Sequence, residues 1–185
     1  MKFLAKEKLE NKVMKKKIKI GILGGTFDPA HKGHLAISKE AKKKFNLKYV
    51  IWAITKKNPF KKKSNLPLNE RIKFAKKITF LNKFIKIKYY EDKIQSNKTI
   101  DLIKYLKKDK SLDINFLMGA DNLINFHKWY KWKLISQKCN ILVFDRKGYK
   151  AKSIKSITFK QLNEKNLKFI NFKKVNISSS QLRKI

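Results

Sequence analysis

The stretch Ile18-Lys19-Ile20-Gly21-Ile22-Leu23-Gly24-Gly25-Thr26-Phe27-Asp28-Pro29-Ala30-His31-Lys32-Gly33-His34 runs from an apolar segment through a glycine pair into two histidines. Ile18 to Leu23 has the length and residue types of a buried strand. Two glycines directly after it let the backbone turn sharply and present amide N–H groups to an anion. A helix starting beyond Pro29 would add the partial positive charge of its first turn at the same place. A phosphate-binding turn over Gly24, Gly25, Thr26 and Phe27 is the consequence. The spacing His31-x-Gly33-His34 sets two imidazoles around a glycine that permits close backbone approach, and imidazoles can stabilise charge building on a phosphoryl oxygen. The plainer alternative is a tight strand-to-helix turn with two incidental histidines.

Outward from this stretch, apolar runs between breakers give further strands at Val50 to Ile54, Ile85 to Tyr89, Ile114 to Met118, Ile141 to Phe144 and Lys168 to Phe172. Helical spacing falls between them at Leu35 to Phe45, Asn69 to Ile78, Ile100 to Lys107 and Leu123 to Ile135, with a short terminal turn from Ser179. Strands alternating with helices predict an α/β fold, a doubly wound and mostly parallel sheet of the Rossmann-like kind, with ligands beyond the carboxyl ends of its strands. Thr55 to Leu68 carries Pro59, Pro67 and three lysines from Lys61, and reads as a mobile loop. Residues 1–17 form a charged extension, in which Met14 is an alternative start, and residues 18–185 form the single domain.

The chain has 185 residues, 42% hydrophobic, and a formal charge of +35. A charge this large suits a polyanion partner. Yet of 48 basic residues only Arg71, Arg146 and Arg183 are arginines, and the lysines spread along the whole chain. Phosphate and base-edge recognition favours the arginine fork, so specific nucleic-acid binding is not expected, although a basic nucleic-acid-binding module is the rival of a different class. Lysines interrupt every apolar run, which excludes a membrane span, and the N-terminus lacks a signal core. With Cys139 as the single cysteine, a cytoplasmic location follows and a catalytic thiol does not.

Thr26-Phe27-Asp28-Pro29-Ala30-His31-Lys32-Gly33-His34 resembles the signature of the nucleotidylyltransferase superfamily, a histidine or threonine, any residue, glycine and histidine after a first strand. The resemblance implies ATP as a substrate, with His34 on the phosphate under attack, His31 beside it and magnesium accompanying the leaving pyrophosphate. No metal ligand of the protein itself is expected. Ile177-Ser178-Ser179-Ser180-Gln181-Leu182-Arg183 is similar to the family's second signature, with serine in place of threonine and only Lys184 and Ile185 following where the family continues with another helix. Ser179 and Ser180 would then offer hydroxyls and free N–H groups to phosphate oxygens, and Arg183 would bracket the β- and γ-phosphates.

Met118-Gly119-Ala120-Asp121-Asn122-Leu123 and Phe126-His127-Lys128-Trp129-Tyr130-Lys131-Trp132 resemble bacterial nicotinate mononucleotide adenylyltransferases. That resemblance implies Asp121 as acceptor for a ribose hydroxyl of ATP, Trp129 stacked on a pyridine ring, and backbone amides near Thr99 and Tyr130 as donors to the carboxylate of nicotinate. Lys61, in an Asn-Pro-x-Lys loop, would reach phosphate. Arg71 is expected to be structural or a secondary phosphate support, Trp132 a core aromatic on the same helical face as Trp129, and His127 a surface or capping histidine. The enzymatic rivals are adenylyl transfer to pantetheine phosphate or to nicotinamide mononucleotide. The oligomeric state is left open.

Overall fold

The computed structural model describes residues 17–58, 64–162 and 166–171. Its centre is one six-stranded sheet in the order β3-β2-β1-β4-β5-β6, with β1 Ile18–Gly25, β2 Tyr49–Ile54, β3 Ile85–Tyr89, β4 Leu112–Gly119, β5 Asn140–Phe144 and β6 Leu167–Ile170. Every neighbouring pair is parallel. The doubly wound parallel sheet is therefore the fold. The inner strands read as continuous apolar runs because both faces are covered: alternate side chains go to opposite faces, and each face has its own core.

On one face Ile20, Ile22, Ile114, Phe116 and Val143 pack with Ile100, Leu123, Phe126 and Ile135. These helical residues come from α4 Thr99–Leu106, α5 Ala120–Ile124, a 3-10 turn at Phe126–Lys128 and α6 Trp132–Lys138. On the other face Leu23, Val50, Trp52, Leu142 and Phe144 pack with Ala41 of α1 Lys32–Phe45 and Ala75 of α2 Leu68–Thr79. Gly21 marks how closely that face is covered, since a Cβ there would lie 3.0 Å from Leu47 and 3.2 Å from Leu117 and Val50.

Two expectations are corrected. The helix expected over Leu123 to Ile135 is three pieces: Asn125 ends α5, Trp129 is extended with φ −76° and ψ 142°, and Lys131 is left-handed with φ 52°. Leu123, Phe126, Trp129 and Trp132 nevertheless all pack on one core. Helical spacing reports which side of a segment is buried, and a chain that rewinds in short turns over the same core face keeps that spacing without a continuous ladder. Trp129 and Trp132 are thus not neighbours on one helical face. Short helices α3 Glu91–Ile94, α7 Lys150–Ile154 and α8 Ile157–Leu162 carry too few turns to show a period, and the spacing missed them. The N-terminal extension up to Lys16 and the terminal turn from Ser179 lie outside the described residues.

Candidate active site

In the order β3-β2-β1-β4-β5-β6 the winding direction reverses between β1 and β4, and a crevice opens beyond the carboxyl ends of the strands at that point. Two hollows occupy it, one of about 350 Å³ and one of about 110 Å³, and Gly24 at the end of β1 lines both. A Cβ at Gly24 would meet only the Phe116 ring, at 3.6 Å.

The turn after β1 is built differently from the sequence expectation. Gly24 and Gly25 stay in the strand, and neither has a positive φ. The chain bends at Phe27, with φ 49°, and at a cis Asp28–Pro29 bond. Phe27 can hold that left-handed conformation because it is overdetermined by packing: it is 2% exposed, stacked on Trp52 at 4.8 Å and tilted against the His34 ring at 4.7 Å. The buried Asp28 carboxylate accepts from the N–H groups of Asn65, at 2.8 Å, and Leu66, at 3.1 Å, and so ties this turn to the loop ahead of α2.

His31 caps α1. Its Nδ1 accepts from the Gly33 N–H at 3.1 Å, and the His34 Nδ1 accepts from the His31 N–H at 3.2 Å, a reciprocal capping box made of two imidazoles whose ring centres are 3.8 Å apart. Using Nδ1 as an acceptor leaves the proton of a neutral ring on Nε2, so the two side chains are held as Nε2–H donors. Behind them, Trp52 Nε1–H donates to Ser38 Oγ at 2.8 Å and Ser38 Oγ donates to the His34 carbonyl at 2.9 Å. Both Trp52 and Ser38 are fully buried. The histidine pair therefore sits on a rigid support, and His31 and His34 line the smaller hollow.

The opposite wall of that hollow carries Asp121 and Arg146, joined in an ion pair. The Asp121 carboxylate folds back over Gly119, where a Cβ would come 2.5 Å from its Oδ1. Arg146, at the end of β5, was not expected from the sequence as a site residue; it is a lone arginine between Asp145 and Lys147, and only the sheet brings it beside β1 and β4.

The larger hollow is lined by Thr99, Trp129 and Tyr130 together with Lys57, Lys98 and Lys128. Thr99 is the first residue of α4, after Lys98, which makes no side-chain cap. The Trp129 ring meets Phe126 edge-on at 5.1 Å and Phe116 at 6.0 Å, an apolar platform at one end of the cavity. Glu91 is its carboxylate. It accepts from the Thr55 hydroxyl and, at 3.2 Å, from the Lys56 N–H. Tyr90, also on the wall, has its hydroxyl pushed above the usual phenol range by burial and by Tyr105. Three lysines, one carboxylate and an aromatic ring on the walls of one hollow leave it net basic, which suits an anionic, planar ligand. No spacing could single out these lysines in a chain that has lysine almost everywhere.

Residues 22–185 match the cytidylyltransferase-like family. The chain is 71% identical over 178 residues to a probable nicotinate-nucleotide adenylyltransferase of Pelagibacter ubique (strain HTCC1062), covering 96% of this chain and 99% of that one. The chain belongs to the nicotinate-nucleotide adenylyltransferases. A probable member of that family from Bradyrhizobium sp. (strain ORS 278) is 41% identical over 131 residues, 70% of this chain and 68% of its own. The fold is shared with the nicotinic acid mononucleotide adenylyltransferase of Plasmodium falciparum complexed with NaAD, at TM-score 0.72 and 21% identity over 90% of this chain and 82% of that chain.

Of the residues expected for a nicotinate-nucleotide adenylyltransferase, His31, His34 and Asp121 line the smaller hollow and Gly25, Thr99, Trp129 and Tyr130 the larger, with Gly24 between. Thr26 and Phe27 line neither; they shape the turn that carries the histidines. Lys61, Ser179, Ser180 and Arg183 lie outside the described residues. His127 is not a surface residue: it is half-buried, its N–H donates to Thr158 Oγ1 at 3.1 Å, and its Nδ1 is buried without a partner among the described residues. Trp132 packs against the core, edge-on to Phe126 at 6.1 Å. Arg71 is structural, 2% exposed, and burial draws its guanidinium below the usual range while Asp28 and Glu91 oppose that.

Proposed function

We propose that the chain transfers the adenylyl group of ATP to nicotinate mononucleotide, releasing pyrophosphate and forming deamido-NAD, with ATP in the smaller hollow and the mononucleotide in the larger. The observation that carries this reading is the pair of hollows meeting at Gly24, one lined by a histidine pair and the other by Trp129 and three lysines. Such a reaction needs an acceptor phosphate held in line with the α-phosphate and charge stabilised in the transition state; positioning and electrostatics suffice, without a covalent intermediate. His34 and His31, as Nε2–H donors, would meet the phosphoryl oxygens. Asp121 would exchange Arg146 for a ribose hydroxyl, freeing a guanidinium for phosphate. Trp129 would stack on the pyridine ring, and the amides near Thr99 and Tyr130 would receive its carboxylate.

Lys61, Ser179, Ser180 and Arg183 belong to the same reading as phosphate contacts, on the strength of the sequence resemblance alone. Magnesium enters as the ion carried by the triphosphate. It would be held by phosphate oxygens and water, with no ligand from the protein required. The lysine charge is read as a solvated surface without a specific nucleic-acid partner, the domain as residues 18–185, and the compartment as cytoplasm. Among the described residues no helix is long and apolar enough to cross a membrane.

Incubating the protein with ATP, magnesium and, in turn, nicotinate mononucleotide, nicotinamide mononucleotide and pantetheine phosphate, and measuring pyrophosphate release, tests the assignment. Release with nicotinate mononucleotide well above the other two is expected. Absence of release with it would defeat the reading.

A further inference from the structure

In a chain that uses lysine at nearly every basic position, an arginine at 71 calls for a physical reason. Four hydrogen bonds supply one. Arg71 Nε donates to the Leu66 carbonyl at 3.0 Å, Nη1 to the carbonyls of Thr26 at 2.6 Å and Thr55 at 2.8 Å, and Nη2 to that of Lys56 at 3.1 Å. The acceptors come from three separate segments: the turn after β1, the chain leaving β2, and the approach to α2. The guanidinium is 2% exposed, so its charge is met by oriented carbonyls, with Asp28 and Glu91 near enough to favour the charged form.

We propose that Arg71 is a positioning residue of the transfer reaction, which holds the histidine-bearing turn of the smaller hollow and the rim of the larger hollow in one register. This rests on the two-hollow reading of the site. A trans peptide sets its C=O and N–H on opposite sides, so each carbonyl that Arg71 draws inward also aims the next N–H outward. Fixing Thr26 C=O fixes the Phe27 N–H at the left-handed residue that carries the chain toward His31. Fixing Thr55 C=O fixes the Lys56 N–H, which meets Glu91 Oε2 at 3.2 Å. Thr55 and Lys57 line the larger hollow. One planar fork thus sets the separation of the two substrate-bearing segments. A lysine, with three donors on a single nitrogen, cannot span four carbonyls in that geometry. In-line transfer is sensitive to such register, because a displacement of about 1 Å can cost on the order of a hundredfold in rate.

The test measures kcat, both KM values and the melting temperature for wild type, Arg71→Lys and Ala75→Gly. Ala75 is a fully buried residue of the same helix that touches neither hollow, and glycine there weakens α2 without altering the fork. Arg71→Lys is expected to lower kcat by at least about tenfold at a temperature where it is folded, with each KM changed by less than about threefold. Ala75→Gly is expected to keep its kcat despite a comparable fall in melting temperature. The proposal is overturned if Arg71→Lys stays within about twofold of the wild-type kcat, or if Ala75→Gly loses as much as Arg71→Lys. Should Arg71→Lys fail to fold, Glu91→Ala serves: it removes the acceptor of both the Thr55 hydroxyl and the Lys56 N–H and so loosens the segment whose carbonyls Arg71 holds. A several-fold loss of kcat is then expected, and an unchanged value overturns the proposal. An active wild type with an unaffected variant strikes this inference alone; a wild type without pyrophosphate release strikes the functional reading with it.

Discussion

The two hollows that meet at Gly24 are made in different ways. The smaller takes one wall, Gly24, His31, Gly33 and His34, from eleven consecutive residues whose histidines hold each other through a local capping box, and only its other wall, Asp121 and Arg146, comes from distant strands. The larger gathers Thr55, Glu91, Lys98, Thr99, Lys128 and Trp129 from three distant stretches that only the sheet brings together. The difference teaches how catalytic and selective duties can be divided. On the proposed reading, the group that would face a developing charge is preset by short-range geometry, whereas the cavity that would distinguish one acceptor from another is assembled by tertiary packing.

The largest effect is expected on the locally built side. His34→Ala removes the proposed donor to the reacting phosphoryl group and one half of the capping box, and turnover is expected to fall by on the order of a hundredfold or more with the fold retained. Steady-state kinetics and circular dichroism check both halves; near-normal turnover would mean that the histidine pair is only a helix cap.

Discrimination between acceptors probes the assembled side. Nicotinate differs from nicotinamide by a carboxylate in place of an amide. Amide donors at the start of α4, with Lys98 beside them, favour the carboxylate and leave an amide's own NH₂ facing donors. Catalytic efficiency for the nicotinate form is expected to exceed that for the nicotinamide form by roughly tenfold to a hundredfold. Trp129→Ala is expected to weaken both mononucleotides by about threefold to tenfold, since stacking is nearly blind to the substituent. A ratio that collapsed in that variant would move the selectivity from the backbone to the ring.

A smaller change separates the hollows from each other. Arg146→Ala removes the partner of Asp121 and a half-exposed cation beside the smaller hollow, so the KM for ATP is expected to rise about threefold to tenfold while that for the mononucleotide stays near its wild-type value. Equal rises in both would show that the ion pair serves the whole crevice. The smallest effect is expected at Cys139, which lies in the core behind the acceptor side and whose thiol burial pushes up to about 12. A thiol with so high a pKa stays protonated at pH 8, so the native protein is expected to react with a disulfide reagent only on unfolding. Stoichiometric labelling of the native state at pH 8 would show that this core opens.

Much of this division was already present in the order of residues. Apolar runs separated by helical spacing determined a doubly wound parallel sheet, because a strand covered on both faces has to be apolar at every position. The histidine spacing after β1 determined how the next helix starts, because capping acts over four residues, whereas the phosphate-binding role of that turn belongs to the proposed function. What the sequence could not determine is whatever depends on residues far apart in the chain. The chain bends at Phe27 rather than at the glycines since Trp52, from β2, supplies the ring on which Phe27 stacks. The helix expected over Leu123 to Ile135 breaks into three because one core face accepts Leu123, Phe126, Trp129 and Trp132 without a continuous ladder. By spacing alone Arg71 and Arg146 are both isolated cations, and only the family resemblance gave Arg71 a structural or phosphate-supporting role. Only the sheet order buries one among four carbonyls and sets the other against Asp121, because a guanidinium's role is fixed by the acceptors within its reach, and those come from other strands.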